Sequence, residues 1–207
     1  MRIDAQLRRQ LIEAMAATVE AHWQELTALD QAIGDGDHGA GMKRGFDALL
    51  ADADTLAEQK LPAALVAAGR TLVMSMGGAS GPLYGTFFME LGKALGDVSD
   101  DALDRAGLAA GFARAMAAVA ARGKSQPGQK TLLDVLAPVS AALERGEDAD
   151  GIARVAAEAA EATVPMQALR GRAAFLGERS IGHMDPGARS ASLIIGAVCA
   201  GLKETSA

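Results

Sequence analysis

The chain has 207 residues and a net charge of −6, from 20 basic and 26 acidic side chains. This length suits one sizeable core, and we expect a single domain over residues 1–207. Half of the residues are apolar but only 3% are aromatic, which favours closely packed helices over a β-sandwich. Because the balance is acidic and no long basic run occurs, we do not expect nucleic acid as a partner.

No segment of the sequence is typical of a membrane protein. Residues 1–9 lack the apolar region of a signal peptide, and the longest apolar run, residues 191–202, is too short to span a bilayer. We therefore expect a cytoplasmic protein without a membrane partner. Cys199, the single cysteine, lies inside that run, and a buried thiol is favoured over a reactive one.

Eight amphipathic segments follow one another along the chain. In the first, apolar residues recur every three or four positions from Leu7 to Leu26, which predicts a helix that ends near Leu29 and delivers Asp30 to a loop. Similar periodicity predicts seven further helices, at residues 42–57, 61–76, 82–95, 103–119, 132–143, 152–169 and 186–202. The fold is therefore predicted to be all-α.

Short connections between consecutive helices imply antiparallel neighbours, in a bundle or a closed ring. The loops rich in glycine and charge follow the first, third, fifth and seventh helices, at residues 30–41, 77–81, 123–131 and 171–187. Loops that follow every second helix lie at one end of such a bundle, so we expect a composite site there. The loops around residues 58–62, 97–101 and 144–151 resemble plain linkers.

Asp30, Asp35 and Asp37 stand among glycines with no cationic side chain within five residues. Close carboxylates raise one another's pKa unless a cation neutralises them, and ligand sets made only of oxygen favour Mg²⁺. A metal site is our first interpretation, and a solvated turn with capping roles is the alternative. An EF-hand is set aside because its twelfth position would be Phe46.

The loop at residues 77–82 has the sequence GGASGP. Its backbone N–H groups and the positive end of the following helix could bind a phosphate. It could equally be an ordinary helix start, with Ser80 as the cap and Pro82 in the first turn. Both readings stay open from these residues alone.

Two further helix starts carry capping signals. Thr131 is followed three residues later by Asp134, which resembles a capping box. Asp185 precedes Pro186, a favoured residue at the first helical position. Capping is the favoured role for Thr131 and a plausible one for Asp185.

Charged groups cluster before the last predicted helix. Arg170, Arg172 and Arg179 could form a solvated face, or could clamp a phosphate at the same end as the aspartates. His183 adds a group that titrates near neutral pH.

Four segments taken together resemble the nucleotide-binding L subunits of the dihydroxyacetone kinase family: IGDGDHG at 33–39, GGASGPLYGT at 77–86, PGQKT at 127–131 and LGERSIGHMDPGA at 176–188. The resemblance covers nearly the whole chain. It implies a closed up-and-down barrel of eight antiparallel helices with ADP or ATP at one end. It also implies that Asp30, Asp35 and Asp37 bind two Mg²⁺ ions that bridge to the phosphates. The nucleotide would contact His38, Gly39, Ala40, Gly41, Ala79, Ser80, Gly123, Leu132, Arg172, Asp185, Pro186 and Gly187.

The same resemblance implies a phosphotransferase that acts only with partners. A phosphoryl group would pass to dihydroxyacetone held on a separate K subunit, and no residue of this chain is assigned as a nucleophile. The length favours a free-standing subunit whose resident ADP is recharged by an M-type phosphocarrier of the phosphotransferase system. An ATP-dependent triose or tetrose kinase subunit is the alternative.

Other assignments remain open. The chain could be a non-catalytic nucleotide sensor that binds a transcription regulator through the same loops, or a metal hydrolase that uses the aspartates and His38 to activate water. A homodimer is a further alternative. Gln129 stands where the family usually has aspartate, which affects the expected contacts with partners more than the metal site.

Overall fold

The computed structural model describes residues 2–96 and 103–204. Over these residues the chain forms nine α-helices and one 3-10 helix. The bounds are α1 Ala5–Ile33, α2 His38–Ala51, α3 Ala53–Glu58, α4 Leu61–Ser75, α5 Ser80–Leu95, α6 Arg105–Gly123, α7 Leu133–Glu144, α8 Ala149–Glu161, the 3-10 helix Arg172–Ser180, and α9 Pro186–Glu204. The predicted linker around residues 97–101 lies largely outside the described residues.

The eight long helices close into a ring. Consecutive long helices pack side by side from α1 through α9, and α9 packs back against α1. The six-residue α3 lies between α2 and α4 and contacts α1. The all-α fold and the closed barrel of eight antiparallel helices are therefore confirmed. Within the described residues, no helix is both long and apolar enough to cross a membrane.

The first connection is shorter than predicted. Helix α1 continues to Ile33, so Asp30 lies in its last turn and is not delivered to a loop. Gly34 ends the helix by donating its N–H to the Asp30 carbonyl at 2.5 Å. Helix α2 begins at His38, four residues before the predicted start. The prediction was wrong here because Asp30 occupies the buried position between Leu26 and Ile33 in α1, and the first turn of α2 is rich in glycine, so the hydrophobic period is interrupted at both ends.

Helix α8 ends earlier than predicted, at Glu161 instead of Leu169. The Thr163 hydroxyl donates to the carbonyl of Ala160 at 2.6 Å and accepts the backbone N–H of Asp185 at 3.0 Å. Pro165 follows, and it has no backbone N–H to continue a helix. Residues beyond Glu161 therefore leave the barrel wall before the chain returns at α9.

The barrel interior is apolar but incompletely filled. A cavity of about 870 Å³ inside the barrel extends from Tyr84 and Leu132 to Leu95 and Leu103 near the opposite end. With so few aromatic side chains, Leu, Ile and Val leave this space between the walls. Cys199 lines it and is buried, and burial raises the pKa of its thiol to about 11. This supports the interpretation of a buried, unreactive cysteine.

Helices α4 and α5 approach closely because glycines face each other at their contact. A Cβ atom added at Gly69 would lie 2.7 Å from the Gly85 carbonyl oxygen and 2.9 Å from the Met89 backbone nitrogen. Both neighbours are backbone atoms, so a side chain can be accommodated only if the helices separate. By contrast, a Cβ added at Gly196 in α9 meets nothing within 4 Å.

We expect Gly69→Ala to lower the free energy of unfolding by about 1–3 kcal/mol through overpacking. The matched control Gly196→Ala should be neutral or stabilising by about 0.4–1 kcal/mol, since it only restricts the unfolded chain. Urea unfolding of both variants measures the difference. Equal effects would show that close packing of α4 on α5 is not what requires Gly69.

Candidate metal centre and its rim

Three carboxylates meet where α1 ends and α2 begins. Asp30 lies on the last turn of α1, and Asp35 and Asp37 lie in the turn at residues 34–37. One ligand oxygen from each comes within 4.8 Å of the others, with Asp30 buried and the other two exposed. An all-carboxylate donor set of this kind fits a hard divalent cation such as Mg²⁺. The structure thus brings together the three predicted ligands.

The buried aspartate is already oriented by the backbone. Asp30 Oδ2 accepts the N–H of His38 at 3.1 Å, which ties the end of α1 to the start of α2. An added Cβ at Gly34 would overlap Asp30 Oδ1, so a side chain at this position would displace the carboxylate. Glycine at position 34 therefore keeps the second oxygen of Asp30 available to the other two aspartates.

One of the three arginines reaches the aspartates. Arg172, on the 3-10 helix, forms an ion pair with Asp35. Arg170 instead donates from Nε to Gln129 Oε1 at 3.2 Å, and Arg179 is exposed. The three do not form one clamp, and of these three only Arg172 pairs with an aspartate of the metal centre.

The glycine-rich loop lies directly beside the carboxylates. A Cβ added at Gly78, which has φ +66°, would lie 3.3 Å from Asp37 Oδ2. In the described part of the chain, no backbone carbonyl accepts the N–H groups of Gly77, Gly78 or Ala79. These donors and the positive end of α5 favour an anion next to the metal centre.

Of the two alternatives left open for the glycine-rich loop, the one in which Ser80 caps the helix is not observed. Ser80 is the first residue of α5, Ala79 precedes the helix, and no side chain caps this start. The Ser80 hydroxyl instead contacts His38 Nδ1 at 2.9 Å. Because this hydroxyl contacts α2 and does not cap α5, no side chain accepts the N–H groups at the start of α5.

A buried polar network joins three helix starts at this end. His38 Nε2 contacts the Ser190 hydroxyl on α9 at 2.9 Å, while its Nδ1 contacts Ser80 on α5. The Ser190 hydroxyl also contacts the Tyr84 hydroxyl at 2.7 Å and donates to the Gly187 carbonyl at 3.0 Å. Burial lowers the pKa of His38 to about 4, so the imidazole is neutral at pH 7.

Thr131 and Asp134 make the side-chain hydrogen bonds expected of a capping box, but Leu132, not Thr131, directly precedes α7. Asp134 Oδ2 accepts the N–H of Thr131 at 2.7 Å, and Thr131 Oγ1 accepts the N–H of Leu133 at 3.2 Å. Helix α7 begins at Leu133, one residue later than predicted, which is within the usual uncertainty of a helix end. Asp134 Oδ1 also accepts the N–H of Gly128 at 2.5 Å and so fixes the preceding loop.

Asp185 caps α9 as predicted. Its Oδ2 accepts the N–H of Ala188 at 2.7 Å. Burial is the main reason that the pKa of this carboxyl is raised to about 7, and nearby Asp134 raises it further. Asp185 is therefore a cap whose charge changes near neutral pH.

The remaining predicted contacts lie on the same rim of the barrel. Gly39, Ala40 and Gly41 form the first turn of α2, next to the loop at Gly77. Gly123 ends α6. Pro186 and Gly187 begin α9, and an added Cβ at Gly187 would lie 3.6 Å from the Leu132 backbone nitrogen. The four unusual loops therefore meet at one end, as their alternation along the sequence predicted.

Several groups at the rim were not identified from the sequence. Tyr84 and Ser190 complete the network around His38, and Lys130 is a buried lysine with φ +61°. Tyr84 and Ser190 lie inside regular helices, where a polar residue on the buried face could have been noticed. Nothing in the local sequence of Lys130 indicates burial.

We expect the stability of an Asp185→Asn variant, relative to the unaltered chain, to rise between pH 4 and pH 7. The folded pKa, about 7, exceeds the ordinary value of 3.8, so the folded chain binds the extra proton over this range. The stability contributed by that proton is complete below the unfolded pKa and is lost as pH rises through the folded pKa. Asparagine does not titrate and avoids this loss. The free energy of unfolding of the variant should therefore rise, relative to that of the unaltered chain, by up to about 1.4 kcal/mol per pH unit.

Urea unfolding at pH 4, 5.5 and 7 measures this difference. The lowered pKa of His38 acts in the opposite direction but is present in both proteins, so it cancels. Asp148 makes a similar cap at the exposed start of α8, accepting Gly151 N–H at 2.8 Å, and Asp148→Asn is the matched control for replacing a capping aspartate by asparagine. A difference that does not vary with pH would contradict a raised pKa at Asp185.

Comparison with known proteins identifies a family. The family model described as the DAK2 domain matches residues 32–200. The chain is 42% identical over 184 residues to the ADP-binding subunit of PEP-dependent dihydroxyacetone kinase 1 from Listeria innocua, covering 87% of this chain and 88% of that protein. It is 39% identical over 187 residues to the corresponding Escherichia coli subunit, covering 86% and 88%.

A solved structure shares the fold. The dihydroxyacetone kinase of C. freundii, in complex with AMP-PNP and Mg²⁺, superposes with a TM-score of 0.73 at 25% identity. The match covers 97% of this chain and 34% of that protein, so this chain spans about a third of the length of the C. freundii kinase.

Proposed function

The chain belongs to the DAK2-domain family, among the nucleotide-binding L subunits of dihydroxyacetone kinase, and on this premise we propose that it carries Mg²⁺ and ADP or ATP at the rim. The phosphoryl group of the nucleotide passes to dihydroxyacetone held on a separate K subunit. The observation that carries this proposal is the position of Asp30, Asp35 and Asp37, within 4.8 Å of one another and beside a loop with free N–H groups.

The aspartates hold the metal in this proposal. Two Mg²⁺ ions bound by Asp30, Asp35 and Asp37 would neutralise the phosphates and fix their orientation. The complex of the C. freundii kinase with AMP-PNP and Mg²⁺ supports the pairing of nucleotide with metal on this fold. Asp30 is held by the His38 N–H, so it supplies an oriented oxygen, and the exposed Asp35 and Asp37 complete the donor set.

The polypeptide binds the nucleotide largely through backbone groups. The amides of Gly77, Gly78 and Ala79 and the positive ends of α2 and α5 are placed to receive phosphate oxygens. Arg172 adds a cation next to Asp35. Around them lie the other rim residues that we propose as nucleotide contacts: His38, Gly39, Ala40, Gly41, Ser80, Gly123, Leu132, Asp185, Pro186 and Gly187.

No side chain of the rim is needed as a nucleophile. The His38 imidazole is neutral and both of its nitrogens contact serine hydroxyls. Phosphoryl transfer depends mainly on positioning and charge neutralisation, and the rim can provide both. The acceptor hydroxyl and any base that assists it belong to the protein that binds dihydroxyacetone.

Exposed apolar side chains surround the rim and fit a partner protein. Phe175 is 90% exposed and Met74 86% exposed, and Leu169 and Ile181 are also exposed. Phe175 lies on the same 3-10 helix as Arg172. A K subunit that docks here would cover these side chains and place its bound substrate close to the phosphates.

The PEP-dependent names of the Listeria and Escherichia relatives favour a resident ADP that an M-type phosphocarrier recharges. The ATP-dependent alternative differs in one measurable property, since its ADP product must leave in each turnover. Copurified ADP that exchanges slowly with labelled ADP would favour the resident cofactor.

We expect Asp35→Ala or Asp37→Ala to abolish binding of Mg²⁺ and ADP while the helices are retained. Each removes a direct metal ligand, so the loss of affinity should exceed the roughly 10–100-fold typical of losing an outer-shell partner. Calorimetry with ADP, in the presence of Mg²⁺ or of EDTA, measures it. Asp47→Ala removes an exposed carboxylate that pairs with Lys43 on α2 and should leave the affinity unchanged. Undiminished affinity in the first two variants would refute the metal centre.

We expect the isolated chain not to phosphorylate dihydroxyacetone, and activity to appear on mixing with a K subunit and a phosphoryl donor. Phe175→Ser should raise the KM for the K subunit several-fold without changing ADP affinity, because a central aromatic contact is lost. Leu50→Ser, at the opposite end of α2, is the matched control. Steady hydrolysis of nucleotide by the isolated chain would instead support a hydrolase.

A further inference from the structure

The segment at residues 164–182 leaves the barrel and returns to the point where it left. At its base, Gly182 donates its N–H to the Val164 carbonyl at 2.9 Å. One step further out, Ala168 donates its N–H to the Ser180 hydroxyl at 2.9 Å. We call residues 164–182 the rim segment. It carries Arg172, whose guanidinium pairs with Asp35 of the metal centre.

The rim segment has an outgoing arm that starts at Val164 and a returning arm that ends at Gly182, and the Lys130 side chain connects the two. Its Nζ donates to the Met166 carbonyl at 2.9 Å, on the outgoing arm, and to the Ser180 carbonyl at 2.6 Å, on the returning arm. An ammonium group has three donors, and these contacts use two of them to cross-link the arms. The lysine is only 1% exposed, so water does not compete for these bonds.

The neighbouring residue adds two contacts to the same segment. The Gln129 carbonyl accepts the N–H of Leu169 at 3.2 Å, and its side-chain oxygen accepts Arg170 Nε at 3.2 Å. Residues 129 and 130 therefore contact both arms, while Arg172 extends beyond them toward the aspartates. These hydrogen bonds, which tie the rim segment to the loop at residues 123–131, all lie at its base, while further out Ala173 and Leu176 pack with Ile33 of α1.

Lys130 combines a positive φ with a buried side chain. Its φ is +61°, a conformation that glycine and asparagine adopt more readily than lysine. Lys124, in the same loop, has φ +49° but an exposed side chain. Burial lowers the pKa of the Lys130 ammonium, and the charge of Asp185 opposes that shift. A buried amine in a disfavoured backbone conformation is retained only if its contacts compensate.

We propose that Lys130 is a positioning residue for the candidate site: by tying both arms of the rim segment to the loop at residues 123–131, it holds Arg172 against the metal centre. This inference rests on the proposed function, in which the metal centre binds Mg²⁺ and a nucleotide. Lys130 itself touches neither the aspartates nor the glycine-rich loop in the described structure. Its effect on the nucleotide must therefore pass through the rim segment.

The test compares Lys130→Met, which keeps the length of the side chain but removes the amine, with Lys124→Met as the control. Without nucleotide, amide hydrogen exchange at Ala168, Leu169 and Gly182 should accelerate at least about tenfold in Lys130→Met, because local opening of the segment becomes easier. Exchange in the barrel helices should not change. Lys124→Met should change neither hydrogen exchange in the rim segment nor the rate at which ADP dissociates.

With nucleotide, dissociation of a fluorescent ADP analogue in Mg²⁺ should be about tenfold faster in Lys130→Met. The double variant Lys130→Met with Arg172→Ala should release it no faster than Arg172→Ala alone, since residues that act through one contact are not additive. A purely structural lysine would show additive effects. Unchanged exchange in the rim segment, or full additivity, would overturn the proposal.

Ser180→Ala provides a second variant in case Lys130→Met does not fold. It removes the hydroxyl that accepts the Ala168 N–H and donates to the Gly177 carbonyl at 2.6 Å, and it should move both readouts in the same direction. If the unaltered chain fails to bind Mg²⁺ and ADP, the proposed function fails. The exchange data then still decide whether Lys130 holds the segment.

Discussion

The bridge that the His38 imidazole makes between Ser80 and Ser190 connects three helix starts, and the rim depends on it. Helices α2, α5 and α9 point their positive ends toward the same space. Ends of like polarity repel one another slightly, and the hydrogen bonds through His38 oppose that repulsion. A neutral imidazole suits this role because it bridges two hydroxyls without adding another positive charge.

The second constraint is charge. Asp30, Asp35 and Asp37 place negative charge on one side of the rim, and the free amides of the glycine-rich loop place partial positive charge on the other. A divalent cation and a phosphate satisfy both sides together, whereas either alone would leave one side unmatched. The Arg172 ion pair with Asp35 shows how the same carboxylates attract a cationic side chain.

Much of this arrangement follows from the sequence. The alternation of plain and unusual loops predicts a shared rim, and the spacing of the three aspartates predicts that they form one site. The predicted ends of several helices were wrong. Asp30 interrupts the apolar face of the last turn of α1 and glycines fill the first turn of α2, so the loop between them was predicted at residues 30–41 although the turn covers only residues 34–37. Likewise, apolar residues beyond Glu161 continued the helical period although Thr163 and Pro165 end the helix.

Other features could not be predicted because they depend on distant parts of the chain. Ser190 contacts His38 across 152 residues, and Lys130 contacts the Ser180 carbonyl across 50. Ser80 resembled a cap, yet its hydroxyl has a better partner on another helix. Such contacts form only when distant helices come together in the closed ring, so the local sequence does not indicate them.

The incompletely filled interior has a mechanical consequence. Unfolding would eliminate the cavity of about 870 Å³, and the decrease in system volume on unfolding scales with the internal space that is lost. Hydrostatic pressure should therefore shift the equilibrium of the barrel toward the unfolded chain.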